Sequence, residues 1–98
     1  MLVVTGSATA KPDTLEELKR ISLDHVRRSR KEPGCVSHGV AADCENPLRL
    51  VFFERWADAA ALKAHFDVPA SREFWRRLQE LSSETTEIAI YEAAGVRI

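Results

Sequence analysis

Hydrophobic and polar residues alternate with a period of two in residues 2–10, 35–43 and 87–93. A fourth stretch, residues 50–56, is rich in β-forming residues. Alternation of this kind places one face of a β-strand against a core and the other toward a different environment. Turn-forming residues separate the stretches, including Pro12-Asp13 and Asn46-Pro47. The sequence therefore predicts four strands.

Three other segments have the apolar spacing of helices. Residues 14–31 carry Leu15, Leu18, Ile21 and Val26 on one face, and the segment ends at Glu32-Pro33-Gly34. Thr14 and Glu17 have the spacing of a capping box, which predicts the start of this helix. A short helix follows Asp58 over residues 59–66, and another begins at Pro69 or Ser71.

The order of these elements, β-α-β-β-α-β, is that of the ferredoxin-like fold, a four-stranded antiparallel sheet with helices on one face. With 98 residues the chain has room for one α+β domain, residues 1–98. The third strand, residues 50–56, is apolar on both faces, and one helix layer covers only one of them. We expect a second copy of the chain to cover the other face, which predicts a homodimer.

Composition narrows the classes of partner. The net charge is -1 and 45% of residues are hydrophobic, so there is no electrostatic reason to expect nucleic acid binding. No apolar stretch has the length of a membrane span or a signal peptide, which predicts a cytoplasmic protein without membrane contact. Cys35 and Cys44 lie too far apart along one extended strand for a disulfide, and we expect both to be reduced.

The candidate chemistry lies in the three histidines of the chain. His25 is on the buried face of the first helix, His38 is inside the second strand, and His65 faces inward on the short helix. A single buried histidine is more often part of a core than a catalytic group, but three on one layer indicate a pocket. A neutral imidazole suits a general base. No spacing of His and Cys is typical of a zinc site, so no metal is expected.

Glu54 is unusual because it shares a strand face with hydrophobic residues. It is interpreted either as an acid that binds substrate in the pocket or as the partner of Arg49 or Arg55 of a second subunit. Aromatic residues at core positions supply the expected pocket walls. They are Trp56, Phe66, Phe74 and Trp75.

Several motifs resemble the antibiotic biosynthesis monooxygenase family, in particular its quinol monooxygenase-like members. They are the Glu-Pro-Gly-Cys turn at 32–35, the Glu-x-Trp-x-Asp-x-x-Ala-Leu-x-x-His run at 54–65 and Ser-Arg-Glu-Phe at 71–74. The resemblance covers nearly the whole chain. It implies a dimeric α+β barrel, in which two sheets pack face to face, and an oxygenase that needs no cofactor.

The resulting hypothesis is a cofactor-independent monooxygenase that oxidises a small aromatic hydroquinone or phenol with O2. His65 or His38 would be the base and His25 an orienting group, in a pocket between strands two and three and the short helix. A dimeric module that binds a small hydrophobic ligand without turnover is the alternative. Haem binding is only the third choice. The haem-degrading branch has an axial His and an Asn at positions where this chain has Trp75 and residues 5–7.

Overall fold

A computed structural model describes all 98 residues and contains seven elements. The strands are β1 (Leu2–Thr9), β2 (Cys35–Ala42), β3 (Arg49–Trp56) and β4 (Glu87–Glu92). The helices are α1 (Leu15–Ser29), α2 (Ala59–Asp67) and α3 (Pro69–Leu81). The predicted type and order of elements are confirmed, and the bounds differ by a few residues at most.

All strands pair antiparallel in the order β2-β3-β1-β4, and the helices pack on one face of the sheet. This is the predicted ferredoxin-like arrangement. The two halves of the chain interleave, because β1 lies between β3 and β4. No helix has the length and apolar character that crossing a membrane requires.

The core lies between the sheet and the helices. Apolar residues on the helix-facing side of β1 and β3 meet the inward stripes of α1 and α3. A second, smaller cluster joins Val4, Trp56 and Leu62 near α2. Between the two clusters the buried side chains are polar, and the site described below begins there.

The predicted capping box at the start of α1 is wrong. The Thr14 hydroxyl makes no cap hydrogen bond, and it donates instead to the Leu81 carbonyl at the end of α3, 2.7 Å away. Glu17 binds Arg20 rather than a backbone amide. A carbonyl left free at a helix end needs a partner, so Thr14 is used to join two helices instead of capping one.

The predicted alternation in β2 is also wrong at its first residues. The register shifts between Cys35 and Ser37, so that Cys35 opposes Trp56 on the helix-facing side. Val36 consequently lies half exposed. A bulge adds one residue without changing the alternation that follows, and His38 keeps its predicted inward position. Cys35 and Cys44 are both free thiols, as expected.

The other face of the sheet carries no helix and is largely apolar. Phe53 and Tyr91 are 52% and 55% exposed there, because register places them opposite Thr5 and Val3 on the outward side of β1. Val51 is on the same face, opposite Ser7. The expectation that β3 is apolar on both sides is therefore confirmed, and one of its sides is open.

Candidate functional site

A cavity of about 370 Å³ opens on the helix-facing side of the sheet. Most of its surface is apolar, although polar and charged side chains also line it. The residues contributed by the sheet, the helices and the segment before β4 are Val4, Gly6, Ser7, His25, Phe52, Glu54, His65, Phe66, Ser71, Arg72, Phe74, Trp75, Leu78, Thr86, Glu87 and Ile88. A volume of this size suits a small organic ligand.

The cavity lies farther along the sheet than the sequence predicted. Its floor comes from β1 and β3 and its rim from the start of β4, whereas β2 supplies no wall. Gly6 allows this, since it faces the helix side between Phe52 and Ile88 and leaves the floor without a side chain. Even a Cβ there would lie 3.1 Å from the Glu87 carbonyl.

The three histidines meet at the inner end of the cavity. The ring centroids are 5.3 Å apart for His25 and His38, 5.2 Å for His25 and His65, and 5.7 Å for His38 and His65. They come from α1, β2 and α2, and each residue is less than a tenth exposed. The prediction that they share one layer is confirmed, although each occupies a different position relative to the cavity.

His25 presents an N–H to the cavity. Arg28 donates to its Nδ1 over 2.8 Å, and since a guanidinium only donates, Nδ1 must be the acceptor and Nε2 must carry the proton. His25 also stacks on Phe74 at 3.9 Å between centroids. The Nε2 atom has no protein partner and is not sealed from the cavity. His25 is thus a fixed hydrogen-bond donor.

His65 is held in the opposite tautomer to His25. Its Nδ1 lies 2.9 Å from Glu32 Oε1, and since a carboxylate only accepts, Nδ1 carries the proton. The lone pair on Nε2 is therefore not used by Glu32, and His65 lines the cavity. Trp56 packs against the ring at 4.6 Å. His65 is positioned as a proton acceptor.

His38 lies below the cavity rather than on its wall. Its side chain is fully buried, and its Nε2 is 3.3 Å from Glu54 Oε1 but not aligned for a hydrogen bond. Trp56 is also fully buried and donates through Nε1 to the same Glu54 oxygen over 2.9 Å. His38 and Trp56 therefore do not line this cavity, and their predicted roles as a base and as a pocket wall stay predictions.

Glu54, Phe66, Phe74 and Trp75 line the cavity, and their part in binding substrate stays a prediction. The alternative for Glu54 was an ion pair with Arg49 or Arg55 of a second subunit, but Glu54 faces the helices. Both arginines project from the opposite face of β3, where Arg49 binds Asp43 and Arg55 binds Ser37.

Burial controls the charge of these groups. It lowers the pKa of His25 to about 2, helped by the nearby His38, His65 and Arg28. Burial also lowers the pKa of His65, although Glu32 acts in the opposite direction. For Glu54 burial raises the pKa, but His38 and the Trp56 N–H outweigh it and the pKa is lowered. The inner end therefore holds a neutral His25 beside the Glu54 carboxylate, and burial disfavours the charged form of His65.

Three residues that contact the histidine cluster or its partners were missed by sequence reasoning: Arg28, Glu32 and Ser71. Arg28 binds Glu32 over 2.9 Å and Ser71 over 3.1 Å while it contacts His25. The network ties α1 to α3 and, through Glu32 and His65, to α2. The i,i+4 spacing of Arg28 and Glu32 was a visible signal, but it is equally common on solvated helix faces.

The fold and the cavity together define a ferredoxin-like α+β domain with a small-molecule-sized site between its sheet and helices. The chain belongs to the antibiotic biosynthesis monooxygenase family, whose model matches residues 1–77.

Individual proteins agree with this assignment. The chain is 38% identical over 93 residues to the uncharacterized protein sll1783 of Synechocystis sp., an alignment that covers 95% of this chain and 63% of that protein. The chain thus spans less than two thirds of that relative's length.

Solved structures show the same fold. A candidate antibiotic biosynthesis monooxygenase from Deinococcus radiodurans superposes with a TM-score of 0.94 at 22% identity, covering 100% of this chain and 97% of that one. A conserved protein from Methanosarcina mazei Go1 gives a TM-score of 0.89 at 29% identity, covering 95% and 92%.

Proposed function

We propose that the protein oxidises a small aromatic hydroquinone or phenol with O2 and without a cofactor. The observation that carries the proposal is the Nε2 lone pair of His65, which Glu32 leaves unused in a residue that lines the cavity. Glu32 holds the ring in this tautomer from the other side. Membership of the monooxygenase family supports the reaction type.

The proposed steps begin with removal of a phenolic proton by His65 Nε2. His25 Nε2–H donates to the oxygen on which negative charge develops, and the His65 cation formed is stabilised by Glu32. The electron-rich anion passes one electron to O2, and the radical pair combines to a peroxide on the ring. The His65 cation returns its proton to the peroxide, and loss of water gives a hydroxyquinone from a hydroquinone or a quinone from a phenol. One oxygen atom of O2 thus enters the ring and the other leaves as water.

The walls of the cavity fit an aromatic substrate. Phe74 and Trp75 of α3 and Phe66 of α2 provide flat apolar surfaces, and His25 is already stacked on Phe74. A substrate that fills the cavity displaces water from it, which strengthens the hydrogen bonds to the developing anion. His25, His65 and Glu54 lie close together on the cavity wall, so the reacting oxygen would be held beside them.

His65→Gln is expected to lower the turnover of a quinol about 100- to 10,000-fold, because a positioned general base contributes on this scale. Reduced quinols would be mixed with enzyme anaerobically, air admitted, and O2 uptake and product mass followed. Lys63→Gln is the matched control, since Lys63 is exposed on the same helix, and it should retain the wild-type rate.

O2 uptake at the spontaneous rate with every phenol and quinol tried would contradict the proposal, as would full activity in His65→Gln. Thermal stabilisation by these compounds without any product would instead support the alternative, a module that only binds its ligand.

We further propose that a second copy of the chain covers the outer face of the sheet and forms a homodimer. Phe53, Tyr91 and Val51 lie together on that face with no helix over them. Apolar patches of this kind mark association surfaces. Because the cavity opens on the opposite side, a dimer formed in this way leaves it accessible.

Phe53→Asp is expected to convert the dimer to a monomer of 11.0 kDa, since it places a charge at the centre of the apolar face. Light scattering after size exclusion measures the mass directly. Leu23→Asp is the control, because Leu23 is an exposed hydrophobic residue on α1. A monomeric wild-type protein, or a dimer that survives Phe53→Asp and dissociates in Leu23→Asp, would show that another surface is used.

A further inference from the structure

We propose that His25, His38 and His65 form a binding site for a divalent transition-metal ion, with Zn²⁺ as the ion that tests it. One ring nitrogen of each residue lies within 4.8 Å of those of the other two. All three residues are buried. Imidazole nitrogen is a preferred ligand of zinc and of its neighbours in the first transition row.

His38 provides an independent reason to expect a ligand here. Both of its nitrogens are sealed from solvent, and neither has a hydrogen-bond partner. A buried polar group without a partner costs about 1 to 3 kcal/mol. A metal ion would satisfy the nitrogen that coordinates it. The adjacent Glu54 could then accept a hydrogen bond from the other nitrogen.

The surroundings resemble those of a metal centre. Glu32 accepts from Nδ1 of His65, the carboxylate–histidine arrangement that orients imidazole ligands toward a metal. The Glu54 carboxylate, 3.3 Å from His38 Nε2, supplies negative charge beside the cluster. His25 and His65 border the cavity, so three protein ligands would leave a fourth position open to it.

Binding requires two adjustments. Zinc–nitrogen bonds of about 2.0 to 2.1 Å place tetrahedral ligand atoms roughly 3.4 Å apart, so the rings must close inward by up to roughly 1.4 Å. Arg28 must also withdraw from His25, because the proton on Nε2 has to move to Nδ1 or Nδ1 itself has to bind. Arg28 keeps Glu32 and Ser71 as partners when it does so.

The proposed metal site can be tested independently of the proposed oxidation. Zinc would occupy the same nitrogen that is proposed to take the substrate proton, so bound zinc would stop that reaction. Metal binding can be measured without substrate, and its failure would leave the oxidation untouched.

The decisive measurement is the ¹⁵N NMR spectrum of the imidazoles in the tag-free wild-type protein during titration with Zn²⁺. The chain contains only three histidines, and all belong to the cluster. We expect one nitrogen of each ring to shift at one equivalent of zinc per chain. Unchanged spectra, or shifts in only one ring, would overturn the proposal.

Co²⁺ provides a second measurement, because its visible absorption reports the coordination geometry. His25→Phe keeps the stacking on Phe74 and removes a ligand, and it should weaken Co²⁺ binding about 100-fold. Cys44→Ser is the control, since Cys44 is exposed and is a competing soft ligand. Equal binding by His25→Phe and wild type, or its loss in Cys44→Ser, would place the ion elsewhere.

Discussion

Gly34→Ala is expected to lower the free energy of unfolding by about 2 to 5 kcal/mol, the sum of a backbone cost and an overpacking cost. Gly34 has φ 81°, in the left-handed region that side chains disfavour. A Cβ at this position would lie 2.4 Å from Ala61 Cβ on α2. The Gly34 carbonyl also accepts from Ala57 over 2.8 Å, so the turn cannot easily move away.

Urea unfolding measures the effect. Gly95→Ala is the control, because no heavy atom lies within 4 Å of a Cβ built there and Gly95 lies after β4, and it should change stability by less than about 1 kcal/mol. Combining Gly34→Ala with Ala61→Gly removes the close contact but not the backbone cost. If the double variant loses as much free energy of unfolding as the two single variants together, the contact with Ala61 does not cause the destabilisation.

Trp56 is the second position at which a large effect is expected. Trp56→Ala should destabilise the protein by about 3 to 5 kcal/mol, because the side chain is fully buried and leaves a cavity. Trp56→Phe retains most of the apolar volume and removes the donor to Glu54, which should cost about 1.5 to 3 kcal/mol, the contribution of a hydrogen bond to a charged group.

A double-mutant cycle with Glu54→Gln isolates the hydrogen bond from the packing. The effects of the two substitutions on stability are expected to be strongly non-additive. Loss of the Trp56 N–H donor costs more when residue 54 is a buried carboxylate than when it is a neutral amide. Trp75→Phe is the control, because Trp75 is 42% exposed, and it should change stability by less than about 0.5 kcal/mol. Additive effects of Trp56→Phe and Glu54→Gln would mean that the hydrogen bond contributes little.

Much of the fold could be predicted from the sequence because periodicity is a local property. Alternation, β-forming residues and helical spacing located all seven elements, and the apolar character of both faces of β3 predicted an open face of the sheet. The bulge before Ser37 could not be predicted in this way, because an inserted residue only appears when the partner strand is known. Thr14 was misjudged for a related reason, since its partner Leu81 is distant in sequence.

The candidate site was only partly predictable. Inward positions of the histidines followed from their elements, but whether each reaches the cavity depends on the strand order, which puts His38 on an edge strand away from the cavity floor. The tautomers of His25 and His65 depend on Arg28 and Glu32, whose side chains could equally have been solvated. The sequence also gave no metal-ligand spacing, because the three nitrogens come from three separate elements.

The mouth of the cavity is made of side chains that are already half exposed. Phe66, Trp75 and Ile88 are 40%, 42% and 47% accessible although they line it, whereas the buried cluster around Leu18 and Phe52 lies deeper. Replacing a rim residue therefore removes less buried area, and costs less stability, than replacing a residue of the core. Substitutions at the rim can change which molecules enter the cavity while the buried core is left unchanged.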